Sequence, residues 1–214
     1  MENSDEFIRH DPCPDCGSSD ALAVYTDGHG YCFACQTYFK EVETVEAASN
    51  VVSYNKPVEM YGTCQAITDR KIPESVAKRF NVHSDQHSQY YPYYDNNGSL
   101  VGCKVREVAT KSFRTMGDMR SNTLFGQQLF KTGGRYVTVV EGELDALAAF
   151  EMLGARYPVV SVSKGAGGAV KDFKQNLEWL EGFEHVIICF DNDPAGREAA
   201  EKCAQVLSPN KARI

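Results

Sequence analysis

No stretch of this 214-residue chain approaches the roughly 18 apolar residues that a membrane-spanning helix needs. The first six residues, Met1-Glu2-Asn3-Ser4-Asp5-Glu6, are acidic where a secretory or organellar leader carries basic residues, so cytoplasm is the expected compartment. Positive charge is in deficit as well: 22 Lys and Arg stand against 29 Asp and Glu, a net charge of −7. The bulk-charge cue for nucleic-acid binding is therefore missing. The deficit is local, because residues 1–40 hold 2 basic against 7 acidic side chains while residues 57–214 balance at 19 each. No Gly-x-x-x-x-Gly-Lys-Ser/Thr occurs, which excludes a P-loop helicase ATPase from this chain. The amount of apolar and charged sequence, 43% and 24%, is ordinary and allows one sizeable core plus a small module.

Cysteine, by contrast, is plentiful, with eight residues. Cys13-Pro14-Asp15-Cys16 and Cys32-Phe33-Ala34-Cys35 are two Cys-x-x-Cys pairs separated by fifteen residues. Each pair sets two thiols on one side of a tight turn, and two such turns complete a tetrahedral zinc site. Gly17 and Gly30 suit the sharp turns, and residues 21–25 and 31–33 suit short strands, so residues 1–40 read as a small all-β zinc ribbon. A disulfide pair and free thiols are the competing readings, and a chain without a leader disfavours disulfides. A module of about 40 residues cannot hold a core unaided, so the metal would supply its stability. Cys64, Cys103, Cys189 and Cys203 lack such spacing, and Cys189, inside an apolar run, reads as core. His29, in Asp27-Gly28-His29, reads either as a plain surface residue or as a contact for a nucleobase edge.

Residues 41–56 have little periodicity, many small or polar side chains and a following Pro57, the composition of a flexible linker. Thr68 to Phe80 reads as a short helix with Pro73 in its first turn. Asp95-Asn96-Asn97-Gly98 separates two strand-like runs, Tyr90 to Tyr94 and Leu100 to Glu107, a strong β-hairpin signal. Lys104 and Arg106 share one face of the second run, with Lys111 and Arg114 shortly beyond. That face is either solvated or in contact with phosphates. Residues 121–133 read as a loop and short helix leading onward.

From Tyr136 to Gly196 the pattern is strand, acidic turn, helix, strand, glycine-rich turn, helix, strand, acidic turn. The apolar runs 136–140, 158–162 and 185–190 are continuous rather than alternating, which implies a parallel sheet covered on both faces. Ligands of such sheets gather beyond the carboxyl ends of the strands. Two of those ends carry clustered carboxylates: Glu141 with Asp145 one helical turn on, and Asp191 with Asp193. Each could be a helix cap alone; Asp193, followed by Pro194, suits that role. Converging together they repel one another unless a cation neutralises them, and Mg²⁺ takes such oxygen ligands while sharing its shell with substrate phosphates. The glycines of Ser163-Lys164-Gly165-Ala166-Gly167-Gly168 would let amides approach an anion, with Lys164 beside them, although this run matches neither common phosphate-binding fingerprint.

Glu141-Gly142-Glu143-Leu144-Asp145 followed by Phe190-Asp191-Asn192-Asp193-Pro194-Ala195-Gly196 resembles the Toprim signature of primases and topoisomerases. With the cysteine pairs, Asp27-Gly28-His29, Lys104-Val105-Arg106, Lys111-x-Phe113 and Leu124-Phe125-Gly126, nearly the whole chain is similar to the primase half of the T7-type phage primase–helicases. The resemblance implies an α/β fold: a zinc-ribbon template-recognition domain over 1–40, a linker over 41–56, the N-terminal subdomain of an RNA polymerase core over 57–135, and a Toprim subdomain over 136–214. It further implies template-directed synthesis of short RNA primers from ribonucleoside triphosphates on single-stranded DNA, a nucleotidyl transfer. Cys13, Cys16, Cys32 and Cys35 would bind one structural Zn²⁺. Glu141, Asp145, Asp191 and Asp193 would form the catalytic acidic cluster, with one or two Mg²⁺ on Glu141, Asp191 and Asp193. His29 would contact template, and Lys104, Arg106, Lys111 and Arg114 would handle nucleotide or template. Implied partners are the primer RNA, a replicative helicase domain in the parent chain and a replicative DNA polymerase, with no membrane and a bacterial host's cytoplasm as the setting.

One departure stands out. The family pattern continues past the Asp-x-Asp helix into another strand and a Lys-Asp motif, whereas this sequence stops at Lys211-Ala212-Arg213-Ile214. A cut fragment or a degenerate form is the expectation, with an unfinished sheet edge and a metal site one carboxylate short. Two readings from other classes remain: a non-catalytic zinc and Toprim recombination mediator, disfavoured by the basic hairpin segment, and a Toprim nuclease.

Overall fold

The computed structural model describes residues 7–18, 21–42, 58–119 and 123–214, which belong to two compact units, Met1–Ser53 and Tyr54–Ile214. The first unit is one antiparallel sheet in the order β1-β2-β3-β4, built from β1 (Phe7–Asp11), β2 (Leu22–Tyr25), β3 (Gly30–Cys32) and β4 (Tyr38–Phe39). Gly17 closes the turn after the first cysteine pair with a φ of 71°, its amide donating to the Cys13 carbonyl at 2.9 Å. Cys13, Leu22, Val24 and Cys32 form the buried cluster, so two of the four cysteines stand in for the missing core. The linker expected over 41–56 lies outside the described residues apart from positions 41 and 42.

The second unit joins an antiparallel sheet to a parallel one. A 3₁₀ turn (Thr68–Arg70) and helix α1 (Glu74–Phe80) precede β5 (His83–Ser84), β6 (Ser88–Tyr94), β7 (Leu100–Glu107) and β8 (Phe113–Gly117), which pair in sequence order. The expected single helix from Thr68 is thus divided. Lys71 turns left-handed with φ 56°, and Pro73, lacking an N–H, takes an extended conformation as the cap of α1 rather than a place inside it. The hairpin turn between β6 and β7 closes as expected, with Asp95 Oδ1 accepting from the amides of Asn97 and Ser99, both at 2.9 Å.

The parallel sheet runs in the order β10-β9-β11-β12, from β9 (Gly134–Val140), β10 (Val159–Ser161), β11 (Phe183–Cys189) and β12 (Ala212–Arg213). Helix α2 (Glu143–Met152) lies over β9 and β10 on one face. Helices α3 (Ala169–Gln175) and α5 (Pro194–Ala204) pack together on the other, and α4 (Leu177–Glu181) leads into β11. Val137 and Val139 are buried on the α3/α5 face and Val140 on the α2 face, the reason the strand reads as an uninterrupted apolar run. At the end of the sequence β12 pairs with β11 at Val186 and Ile187. Cys189 differs from expectation: it is exposed, because it sits at the strand tip on the face that α2 covers only over β9 and β10.

Leu124 and Phe125 seam the two sheets together. Leu124 enters the core under α3 and α5, while Phe125 turns into the opposite core, against Phe80, Tyr91 and Tyr93 at ring separations of 5.6–5.9 Å. The Phe125 backbone also exchanges hydrogen bonds with Ser161 on β10. Gly126 follows with φ 83°, and a Cβ there would lie 2.6 Å from the Phe80 ring. Phe125→Ala should therefore destabilise the second unit by about 3–5 kcal/mol, read from the urea midpoint of the full chain at unchanged slope.

Candidate functional site

Within the ribbon the four thiols converge. The Cys13–Cys35 and Cys16–Cys32 sulfurs are each 3.7 Å apart, and all four lie within 4.8 Å of one another. A zinc tetrahedron with bonds of about 2.3 Å has sulfur edges of about 3.8 Å, so the donors fit that ion. A disulfide needs about 2.05 Å and does not fit.

His29 follows the turn that Gly28 makes with φ 88°. Its ring stacks on Tyr25 at 4.3 Å and 9° and faces Tyr38 at 5.4 Å. Asp27 Oδ1 accepts from the His29 amide at 3.1 Å and lies 2.5 Å from Nδ1. That contact, with the stacking, sets the orientation of the ring. The His29 amide, followed by its ring, holds the Asp27 carboxyl below the usual carboxylate range.

The acidic crevice forms at the carboxyl ends of the parallel strands. Glu141 follows β9 directly; its Oε1 accepts from the Ala166 amide at 3.2 Å and its Oε2 from the Asp191 amide at 3.3 Å. One carboxylate thus ties together the tips of β9 and β11 and the loop after β10. Asp145 folds back over the start of α2, where a Cβ on Gly142 would meet its Oδ2 at 2.8 Å. Burial first, then the charge of Asp191 and those of Glu141 and Glu143, push the Asp145 carboxyl up, against the pull of Arg70. Asp191 is exposed. Asp193 caps α5, accepting from the Gly196 amide at 2.7 Å with Pro194 next in the chain, so the capping role holds for this member of the cluster. Gly196 has no alternative, since a Cβ there would lie 2.2 Å from the Asp191 carbonyl oxygen. Among the described residues only the cysteines bring three or more ligand atoms within 4.8 Å, and the carboxylates stand wider apart, held by backbone amides. Hard oxygen donors, water access and mutual repulsion suit a small divalent cation that keeps part of its hydration shell.

The basic residues divide. Lys104, from β7, points to the crevice edge: its ammonium meets Glu143 Oε1 at 2.8 Å and the Ser163 carbonyl at 3.1 Å, with the Phe113 ring centroid 4.9 Å away. Glu143 is buried and also accepts from the Tyr93 hydroxyl at 2.5 Å. Arg106 shares this face but is not on an exposed phosphate-facing surface as expected. It is 6% exposed and donates to Gln89 Oε1, which also accepts from Tyr91, because the strand face that carries it is covered by the core around Phe125. Arg114 pairs in register with Val105 and so lies on the opposite face from Lys104, and Lys111 is exposed at the β7–β8 turn.

Sequence reasoning missed Glu143, Arg70 and Asp172. Glu143 occupies a free position of Glu-Gly-x-x-Asp. Arg70, at the end of the 3₁₀ turn, joins the site through its charge acting on Asp145. Asp172 lies within a helix with no pattern around it, yet its buried carboxylate accepts from both the amide and the hydroxyl of Ser163.

Two outcomes are expected from this geometry. Lys104→Ala leaves Glu143 buried without its cation and should destabilise the second unit by about 3–5 kcal/mol in denaturant titration. Asp145 has a raised folded-state pKa, so the fold binds more protons than the unfolded chain and loses stability as pH rises from the ordinary carboxylate range through the raised value. In EDTA, Asp145→Asn should therefore melt above the parent at pH 7, the advantage vanishing below the ordinary carboxylate range.

Residues 138–214 match the Toprim-like family model. The whole chain is 37% identical to the DNA helicase/primase of Enterobacteria phage T3, of which it spans 40% of the length. The crystal structure of the primase fragment of the bacteriophage T7 primase-helicase superposes with a TM-score of 0.68 at 37% identity, covering 98% of this chain and 90% of that one. The primase part of a T7 structure, in which lagging-strand DNA polymerase interacts with primase domains of two gp4 subunits bound to an RNA/DNA hybrid and dTTP, matches at 39% identity and TM-score 0.66. That match covers 72% of this chain and 79% of the other. On fold, site and sequence together, this chain belongs to the primase family of the T7-type phage primase–helicases.

Proposed function

We propose that the chain is the primase part of a phage primase–helicase and makes short RNA primers on a single-stranded DNA template. The observation that carries the proposal is the acidic crevice, where Glu141 ties adjacent strand tips and Lys104 approaches from the antiparallel sheet. In this reading a primer 3′-hydroxyl attacks the α-phosphate of an incoming ribonucleoside triphosphate and pyrophosphate leaves. Glu141, Asp145, Asp191 and Asp193 supply the carboxylates, with Glu141 as the general base for the hydroxyl proton. Bound Mg²⁺ would supply charge neutralisation at the phosphates and a more acidic hydroxyl. Lys104 and Lys111 handle nucleotide and template, Arg114 contacts template from the other sheet face, and Arg106 acts by holding Gln89 and Tyr91.

Zn²⁺ on Cys13, Cys16, Cys32 and Cys35 would stabilise the ribbon, and His29 Nε2 would meet a template base edge. Tethered in the same chain, the ribbon would raise the effective concentration of template at the crevice. No described helix is long and apolar enough to cross a membrane. The helicase domain of a longer parent, a replicative polymerase and the bacterial cytoplasm complete the proposal.

Incubation of the chain with single-stranded DNA, Mg²⁺ and labelled ATP and CTP tests it. Short labelled oligoribonucleotides are expected, whereas degraded DNA would show a nuclease and a shifted band without product a recombination mediator. Glu141→Ala and Asp191→Ala should each lower synthesis by about 100- to 1,000-fold. Stripping zinc should unfold the ribbon, seen as loss of its Tyr25–His29 ring contacts by NMR.

A further inference from the structure

We propose that Asp172 is a positioning residue for nucleotidyl transfer, acting on the crevice through Ser163. The inference rests on the primase reading above. Asp172 is only 7% exposed, and none of the ion pairs among the described residues gives it a cation. A buried carboxylate without a cation is costly unless its hydrogen bonds are strong. Its Oδ2 takes two from one residue, the amide of Ser163 at 2.5 Å and the hydroxyl at 2.9 Å. Helix α3 holds the other end of the arrangement, since the Asp172 carbonyl accepts from the Asn176 side chain at 2.9 Å and Phe173 is fully buried.

Ser163 is the hinge between this anchor and the site. Its carbonyl accepts from Lys104 at 3.1 Å. Three residues on, the amide of Ala166 donates to Glu141. Between them Gly165 turns with φ 61°, so this glycine-bearing loop has little stiffness of its own. Clamping Ser163 at two points sets where the loop begins. The loop in turn meets one cation, Lys104, and one carboxylate, Glu141. Asp172 touches neither, and beyond Ser163 its effect is passed on by backbone groups. The second donor needs a hydroxyl at position 163, so the pair Ser163 and Asp172 forms one unit.

The test uses the full chain with Asp172→Asn, which keeps the shape but gives up the charged acceptor, and Ser163→Ala, which removes one of the two donors. Asp172→Asn is expected to lower kcat for oligoribonucleotide synthesis by about 10- to 100-fold, with a smaller change in KM for ATP, and Ser163→Ala by less. The reactivity of Lys104 toward an amine-acylating reagent, followed by mass spectrometry, should rise in Asp172→Asn while the melting temperature stays near the parent's. Unchanged kcat and unchanged Lys104 reactivity would overturn the proposal. So would a loss of activity that tracks a lowered melting temperature and is recovered on cooling the assay. Should the parent make no oligoribonucleotide, the primase reading fails on its own, and the Lys104 reactivity still decides whether Asp172 sets that side chain.

Discussion

The ion pair between Lys104 and Glu143 is the constraint on which the second unit depends. Two opposite charges removed from water lose several kcal/mol of hydration each, and their attraction offsets that only when the remaining donors and acceptors are satisfied. Here they are. Glu143 also accepts from Tyr93, and Lys104 also donates to the Ser163 carbonyl and rests against Phe113. Because Lys104 and Tyr93 come from the antiparallel sheet, and Glu143 and Ser163 from the helix and loop that follow strands of the parallel one, the polar contact helps fix how the sheets meet, as the apolar seam at Phe125 does. The crevice lies at the edge of that junction.

The carboxylates around it have divided duties. Asp193 is engaged as a helix cap, and Glu141 spends both oxygens on backbone amides. Asp145 is pushed up by burial first and then by the charge of Asp191, which Arg70 only partly offsets. Such an arrangement holds its groups in place by neutral donors while their charges still repel. Close approach of the Gly196 backbone to Asp191, tolerable only without a Cβ, belongs to the same economy of space.

In the ribbon the thiols replace the core that about 40 residues cannot otherwise assemble. The stack of His29 on Tyr25, with Asp27 beside Nδ1, fixes the orientation of the ring.

Much of this was legible along the chain. The cysteine spacing, the hairpin at Asn97-Gly98, the continuous apolar strands and the acidic residues at their ends depend on local periodicity and turn chemistry, and those signals survive without tertiary context. The helix break at Lys71 and Pro73 was less so, because one Pro is compatible with a first turn or a cap, and only the neighbouring extended backbone chose between them. Cys189 looked like core because an apolar strand does not say where its covering helix stops. Arg106 looked like a partner for Lys104, but alternation places two residues on one face without telling whether that face is wet. Glu143, Arg70 and Asp172 join the site through contacts between residues far apart in sequence. The order of residues thus settled which groups lie at each strand end. Only the packing of one sheet on the other decided which charges are buried, which are paired and which remain open, because burial and distance are properties of the folded contact and not of the local pattern.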